Sequence, residues 1–180
     1  MKKWQIIPIG FIMAARIARE LIVGGIFYWR WGDDILVVAG WIIGWLLADL
    51  DDIFYVMVCN PQELTCQRVK GLLAGKNYKE AWKLLRETRG ERNQLPVRNV
   101  LTGTIVMILG IWIVTSNGSA LGSGVVLGLG VRLLAELLAE RDWKKWYWIF
   151  AREFSQSEYS LTVMGWAAAL VWEILMTVRG

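Results

Sequence analysis

The chain has 180 residues, 56% of them hydrophobic, with a formal net charge of +4 and no histidine. Soluble domains average roughly 45–50% apolar residues, so a mean hydropathy of +0.40 concentrated in blocks points away from a soluble enzyme and toward a membrane. The missing histidines exclude imidazole general-base catalysis and His-ligated metal sites.

In chain order, five apolar blocks have the length of bilayer spans: about 4–28, 35–58, 97–115, 120–139 and 161–178. The expected fold is all-α, a single-domain polytopic membrane helical bundle with amphipathic helices on its inner surface. Lys2 and Lys3 precede the first block. No small-residue cleavage site follows, and Arg16 and Arg19 interrupt the apolar run, so this block reads as a retained helix. It is polar for a span, and an interfacial helix followed by a short dip is the alternative. Pro8 marks a kink or an early-turn proline. The second block ends in LLADLDDIFY, with Asp49, Asp51 and Asp52.

Residues 60–96 form the long connection. Cys59 and Cys66 match no zinc spacing and read as reduced, inert thiols. In KNYKEAWKLLRETRGER, Tyr78, Ala81, Trp82 and Leu85 recur at helical spacing, with basic residues on the other side. Such a helix suits anionic lipid headgroups or serves as a solvated connector. Arg98 stands at the entry to the third block, which carries Gly103 and Gly110. Asn117-Gly118-Ser119 reads as a tight turn. The fourth block, with Gly124, Gly128 and Gly130 for close helix contact, holds Arg132 and Glu136 in its apolar run. The connection RDWKKWYWIFAREF is aromatic and interfacial in character. Glu173, in the fifth block, is a lone acid expected either to face Arg19 or to snorkel outward. GLGVR lacks the strand and the lysine of a phosphate loop. The net charge is explained by the connections, so no nucleic-acid partner is required.

Tryptophans 29, 31, 41, 45, 143, 146 and 148 lie near block ends, as an interfacial aromatic belt would. Orientation follows from Lys and Arg placement. Arg68 to Arg92 and Arg141 to Arg152 are rich in both, whereas WRWGDD and SNGS are nearly free of them. The positive-inside rule then puts the N-terminus in the cytoplasm and the C-terminus outside.

Ionisable residues within spans are costly, roughly 2.5–3.5 kcal/mol each at mid-helix, and need partners. Arg132 and Glu136 are i, i+4 and share a face, as do Arg16 and Glu20, while Asp49 and Asp52 are i, i+3. Depth along the spans places Asp49, Asp51, Asp52, Arg98, Arg132 and Glu136 in the inner half, with Arg16, Arg19 and Glu20 at mid-depth or slightly beyond. A balanced cluster in a polar cavity is therefore expected. One reading is an ion-pair network that fixes helix docking. The other is a site in which Arg98 and Arg132 (with Arg16 and Arg19 as further anion candidates) hold a phosphate. In that site Asp49, Asp51 and Asp52 bind Mg²⁺ or Mn²⁺. Nearby guanidiniums repel a metal, which favours the structural reading, with no cofactor.

The pattern resembles the bacterial family of membrane-bound metal-dependent hydrolases. That family shows D-x-D-H at the end of an early span, a His opening a later one, and H-x-x-x-D in the next. The matching positions here are Asp49-Leu50-Asp51-Asp52, Arg98, and Arg132 to Glu136. Every position where the resemblance implies His carries another residue, so it implies the fold without the metal chemistry. A non-catalytic membrane scaffold or adaptor for a membrane or cytoplasmic protein is the first functional expectation. A hydrolase or carrier for a phosphate-bearing amphiphile, with Asp49, Asp51 and Glu136 as catalytic candidates, is the second. A small proton-coupled transporter using Asp49 or Glu136 as relay is the third.

Overall fold

A computed structural model describes residues 7–23, 31–50, 64–88, 96–116 and 119–179, and among these it is entirely helical and turn. The helices are α1 (Ile7–Val23), α2 (Trp31–Leu47), α3 (Leu64–Ala74), α4 (Tyr78–Glu87), α5 (Val100–Thr115), α6 (Ala120–Ala139) and α7 (Gln156–Arg179). A 3-10 helix, Trp143–Tyr147, sits between α6 and α7. The expected all-α fold is observed. Two helices, α6 and α7, are long and apolar enough to cross a membrane, and α5 is apolar but shorter. The first and second apolar blocks hold α1 and α2, each of 17 residues. Residues 4–6 and 24–28 of the first block and 51–58 of the second lie outside the described ones. Pro8 falls in the first turn of α1, where its missing N–H costs nothing.

Local sequence sets the helix ends. Asn99 caps α5 by accepting from the Thr102 N–H at 2.8 Å, and the Ser119 hydroxyl caps α6 by accepting from Gly122 at 3.0 Å. Before α7, Ser155 and Glu158 form a reciprocal pair. The Glu158 carboxylate accepts from the Ser155 N–H at 2.8 Å, and the Ser155 hydroxyl accepts from the Glu158 N–H at 3.3 Å. α3 ends with Lys76 at φ 59° and with bonds from Lys76 to Leu73 and from Asn77 to Leu72, which closes its last carbonyls and turns the chain into α4.

The centre of the bundle is α6. Eleven of its residues are buried, from Ser123 to Leu137, because α2 covers one side and α5 and α7 the other. The α2–α6 contact is backbone on backbone. Gly40 and Gly44 of α2 interlock with Gly124 and Gly128 of α6: a Cβ at Gly40 would come within 2.9 Å of Val125 N, and one at Gly128 within 2.9 Å of Trp41 Cα. Small residues four apart on both helices make this approach possible. Val37 meets Gly124 and Trp41 meets Gly128, so α2 and α6 run parallel. On the other side Trp166 fills the notch at Gly103 and Glu173 the notch at Gly110, so α5 and α7 are parallel to each other. Met107, Leu127, Leu133 and Leu170 fill the space between.

The outward faces are apolar as well. Ile35, Ile42 and Leu46 of α2, Ile105, Ile108 and Trp112 of α5, and Leu161, Met164 and Leu175 of α7 are all exposed. The tryptophans divide differently from the expected belt. Trp41, Trp45 and Trp146 are buried. Exposed indoles lie instead at Trp112 and Trp172, near the ends of α5 and α7, and at Trp148 near the opposite end.

The α3–α4 hairpin has its own small core. Val69 of α3 packs with Ala81 and Leu85 of α4, and Trp82 lies against them. The apolar stripe foreseen on the α4 segment is thus turned largely onto α3, while Lys79 and Lys83 stay exposed. Cys66 is fully buried and disulfide-bonded, which corrects the expectation of a reduced thiol. Cys59 lies outside the described residues.

Candidate functional site

At one end of the bundle four charged side chains from three segments meet. The chain turns at residues 48 and 49 after α2, and this carries Asp49 over the end of α6. Arg132 and Glu136 stand one turn apart on α6, and Arg98 precedes the Asn99 cap of α5. Arg132 grips Asp49 with a two-pronged contact: Nη1 donates to Oδ2 at 3.2 Å and Nη2 donates to Oδ1. Its Nε donates to Glu136 at 3.0 Å and its Nη1 also to the Trp45 carbonyl. The Trp45 ring lies under the guanidinium, 5.1 Å from centroid to Cζ. Arg98 pairs with Glu136 through Nε, reaches Asp49 at 3.7 Å and donates to the Ala48 carbonyl at 3.0 Å.

Both guanidiniums are nearly buried, at 6% and 7% exposure, and the carboxylates are partly open at 15% and 23%. Two positive and two negative charges stand together, so each lost hydration shell is replaced by a partner. Planar guanidinium against planar carboxylate is the strongest such geometry. The sequence expectation that Asp49, Arg98, Arg132 and Glu136 converge is met. Asp51 and Asp52, the other acidic candidates, lie outside the described residues. Among the described residues no group of three or more Cys, Asp or Glu is placed to hold a metal ion.

Arg16 and Arg19 do not join this cluster. α1 brings them to the opposite end of the bundle, where Arg16 pairs with Asp34 of α2 at 2.7 Å and donates to the Thr177 carbonyl at 2.6 Å. Arg19 donates to the Val178 carbonyl at 3.3 Å. Asp34 and Asp49 are separated along α2 by about 22 Å at 1.5 Å per residue, so these are two sites. The reason is the C-terminus of α7. Its last carbonyls lack intrahelical donors and carry the negative end of the helix dipole, which attracts cations. That demand is invisible in the α1 sequence. Asp34, which completes the pair, was not foreseen, although Arg16 required a counter-ion.

Glu173 neither faces Arg19 nor snorkels. It is 1% exposed and points inward between α7 and α5. Comparison with known protein families, curated proteins and solved structures yields no match to this chain.

Proposed function

We propose that this chain is an integral membrane protein of a bacterial inner membrane that crosses the bilayer five times. Its N-terminus lies in the cytoplasm, and it acts as a non-catalytic scaffold or adaptor. One observation carries the non-catalytic part: the two carboxylate oxygens of Asp49 both accept from Arg132. Asp49 is the residue that the hydrolase resemblance would make a metal ligand, and a guanidinium occupies its ligand positions. The membrane part is supported by the apolar outward faces of α2, α5 and α7, since large exposed apolar surfaces suit a hydrocarbon solvent. Helix directions also alternate as five crossings require, with α2 and α6 running one way and α5 and α7 the other. Kinship of fold with the membrane-bound hydrolases belongs to the same proposal, as do anionic headgroups and a membrane or cytoplasmic protein as partners of the basic face.

The Cys66 disulfide runs against this orientation, because such bonds persist mainly outside the cytoplasm. The basic residues between Arg68 and Arg92 outweigh a single bridge under the positive-inside rule. Side-specific labelling of cysteines introduced at Lys76 and at Ser119 in intact cells tests this directly. A membrane-impermeant reagent applied outside should label position 119 and spare position 76; the reverse pattern inverts the topology. Elemental analysis of the purified protein tests the non-catalytic reading. Stoichiometric Mg²⁺ or Mn²⁺ that is lost in Asp49→Asn with Asp51→Asn would replace the scaffold with an enzyme.

A further inference from the structure

Glu173 lies in the interior of the bundle, and the charge cluster does not use it. Its side chain is among the largest fully buried ones, and neither carboxyl oxygen has a hydrogen-bond partner. The carboxyl sits in the notch left by Gly110: a Cβ there would lie 2.6 Å from Cδ and 2.7 Å from Oε2. No ionisable residue on α5 faces it, since Val100–Thr115 contains none. On α6 the ionisable residues are Arg132 and Glu136, both engaged with the Asp49 end. On α1 and α2, Arg16 and Asp34 are bonded to each other, with Arg16 also holding the Thr177 carbonyl, and Arg19 donates to the Val178 carbonyl. Thr177 is one turn beyond Glu173, about 6 Å along the axis, and its hydroxyl is likewise buried without a partner.

A charged carboxylate in such a place would go unsolvated and unpaired, at a cost far above that of the neutral acid. Among the described residues no structural role rewards a carboxyl here; leucine or glutamine would fill the notch. Thr177 and the Arg16–Asp34 pair lie toward the C-terminal end of α7, with Arg16 bonded to the Thr177 carbonyl. We propose that Glu173 is a proton-binding site, a buried carboxyl that takes up and releases one proton through that end of the bundle. The ligand is the proton itself, passed from water to the carboxylate oxygen and returned the same way. This goes beyond the scaffold reading and is independent of the Asp49 cluster.

The test uses the full-length protein in detergent and an apolar carbodiimide. A protonated carboxyl adds across the reagent's C=N bond: the proton goes to nitrogen and the carboxyl oxygen bonds to the central carbon. Rearrangement then leaves a stable N-acylurea that peptide mass mapping locates. One adduct per chain is expected, on Glu173, absent in Glu173→Gln and retained in Glu173→Asp. Its rate should fall about tenfold per pH unit above the midpoint, since only the protonated form reacts. A water-soluble carbodiimide should leave Glu173 unmodified. No adduct on Glu173, equal labelling by both reagents, or a rate indifferent to pH overturns the proposal. The route is tested in vesicles of uniform insertion. A pH step on the side of the α7 C-terminus should change the labelling rate, and a response only to the Asp49 side overturns the route. The detergent arm does not require a membrane-spanning chain, so its failure is distinguishable from failure of the topology.

Discussion

Among the charged residues, partner identity decides what each substitution does. Arg132→Ala leaves Asp49 without its two-pronged partner and should cost about 3–5 kcal/mol, much of it from the abandoned charge. Sequence spacing alone nominates Glu136 as the rescuing site, since it lies one turn away on the same helix. The structure nominates Asp49, because Glu136 is also held by Arg98. Denaturation in mixed micelles should show Arg132→Ala substantially recovered by Asp49→Ala, which leaves Arg98 paired with Glu136; no recovery would overturn this assignment. Tyr147, in the 3-10 helix between α6 and α7, offers a pH test. Burial pushes its phenol above the usual 10.0, partly offset by the bond to Thr162 at 2.9 Å. The folded chain therefore holds that proton more tightly than the unfolded one. This contribution to stability is complete below about pH 10 and is lost as pH rises through the raised value. Tyr147→Phe should flatten that part of the stability profile relative to the unmodified chain.

Between elements, the glycines separate two kinds of position. At Gly44 an added methyl would overlap the Val125 carbonyl and lie 2.9 Å from the Leu129 nitrogen, and backbone cannot yield as a side chain can. At Gly165 nothing stands within 4 Å. Gly44→Ala should destabilise by about 1–3 kcal/mol through overpacking. Gly165→Ala should be neutral or gain up to about 1 kcal/mol from helix propensity. Equal effects at the two positions would mean that α2 and α6 do not touch as described. Much of this was legible in the sequence. The fourth block was bounded at the same residues as α6, and Arg132, Glu136, Arg98 and Asp49 were brought together by depth and i, i+4 spacing. The pair Gly40 and Gly44 is also visible, in GWIIG, although the close contacts expected from sequence lie on the glycines of the third and fourth blocks. Composition says that a glycine permits close approach but not which helix approaches. Arg16 and Glu173 were misplaced for a related reason: their surroundings come from the end of α7 and from a notch in α5, both remote in sequence.

At the level of the whole molecule, the two charged ends frame an apolar middle. The Asp49 cluster ties α2, α5 and α6 together at one end, and Arg16 ties α1, α2 and α7 at the other. α2 takes part in both, so it is clamped along about 22 Å of its length. The partner of α2 along that length is α6, more than 70 residues later in the chain. Assembly therefore cannot finish in the order of synthesis. Until α6 is made, the glycine groove of α2 stands open and Asp49 lacks the two-pronged contact that Arg132 supplies. A chain released before Arg132 has emerged would carry that half-built site as a mark of immaturity, open to the chaperones and proteases that survey unfinished chains. Only the arrival of α6 would erase it.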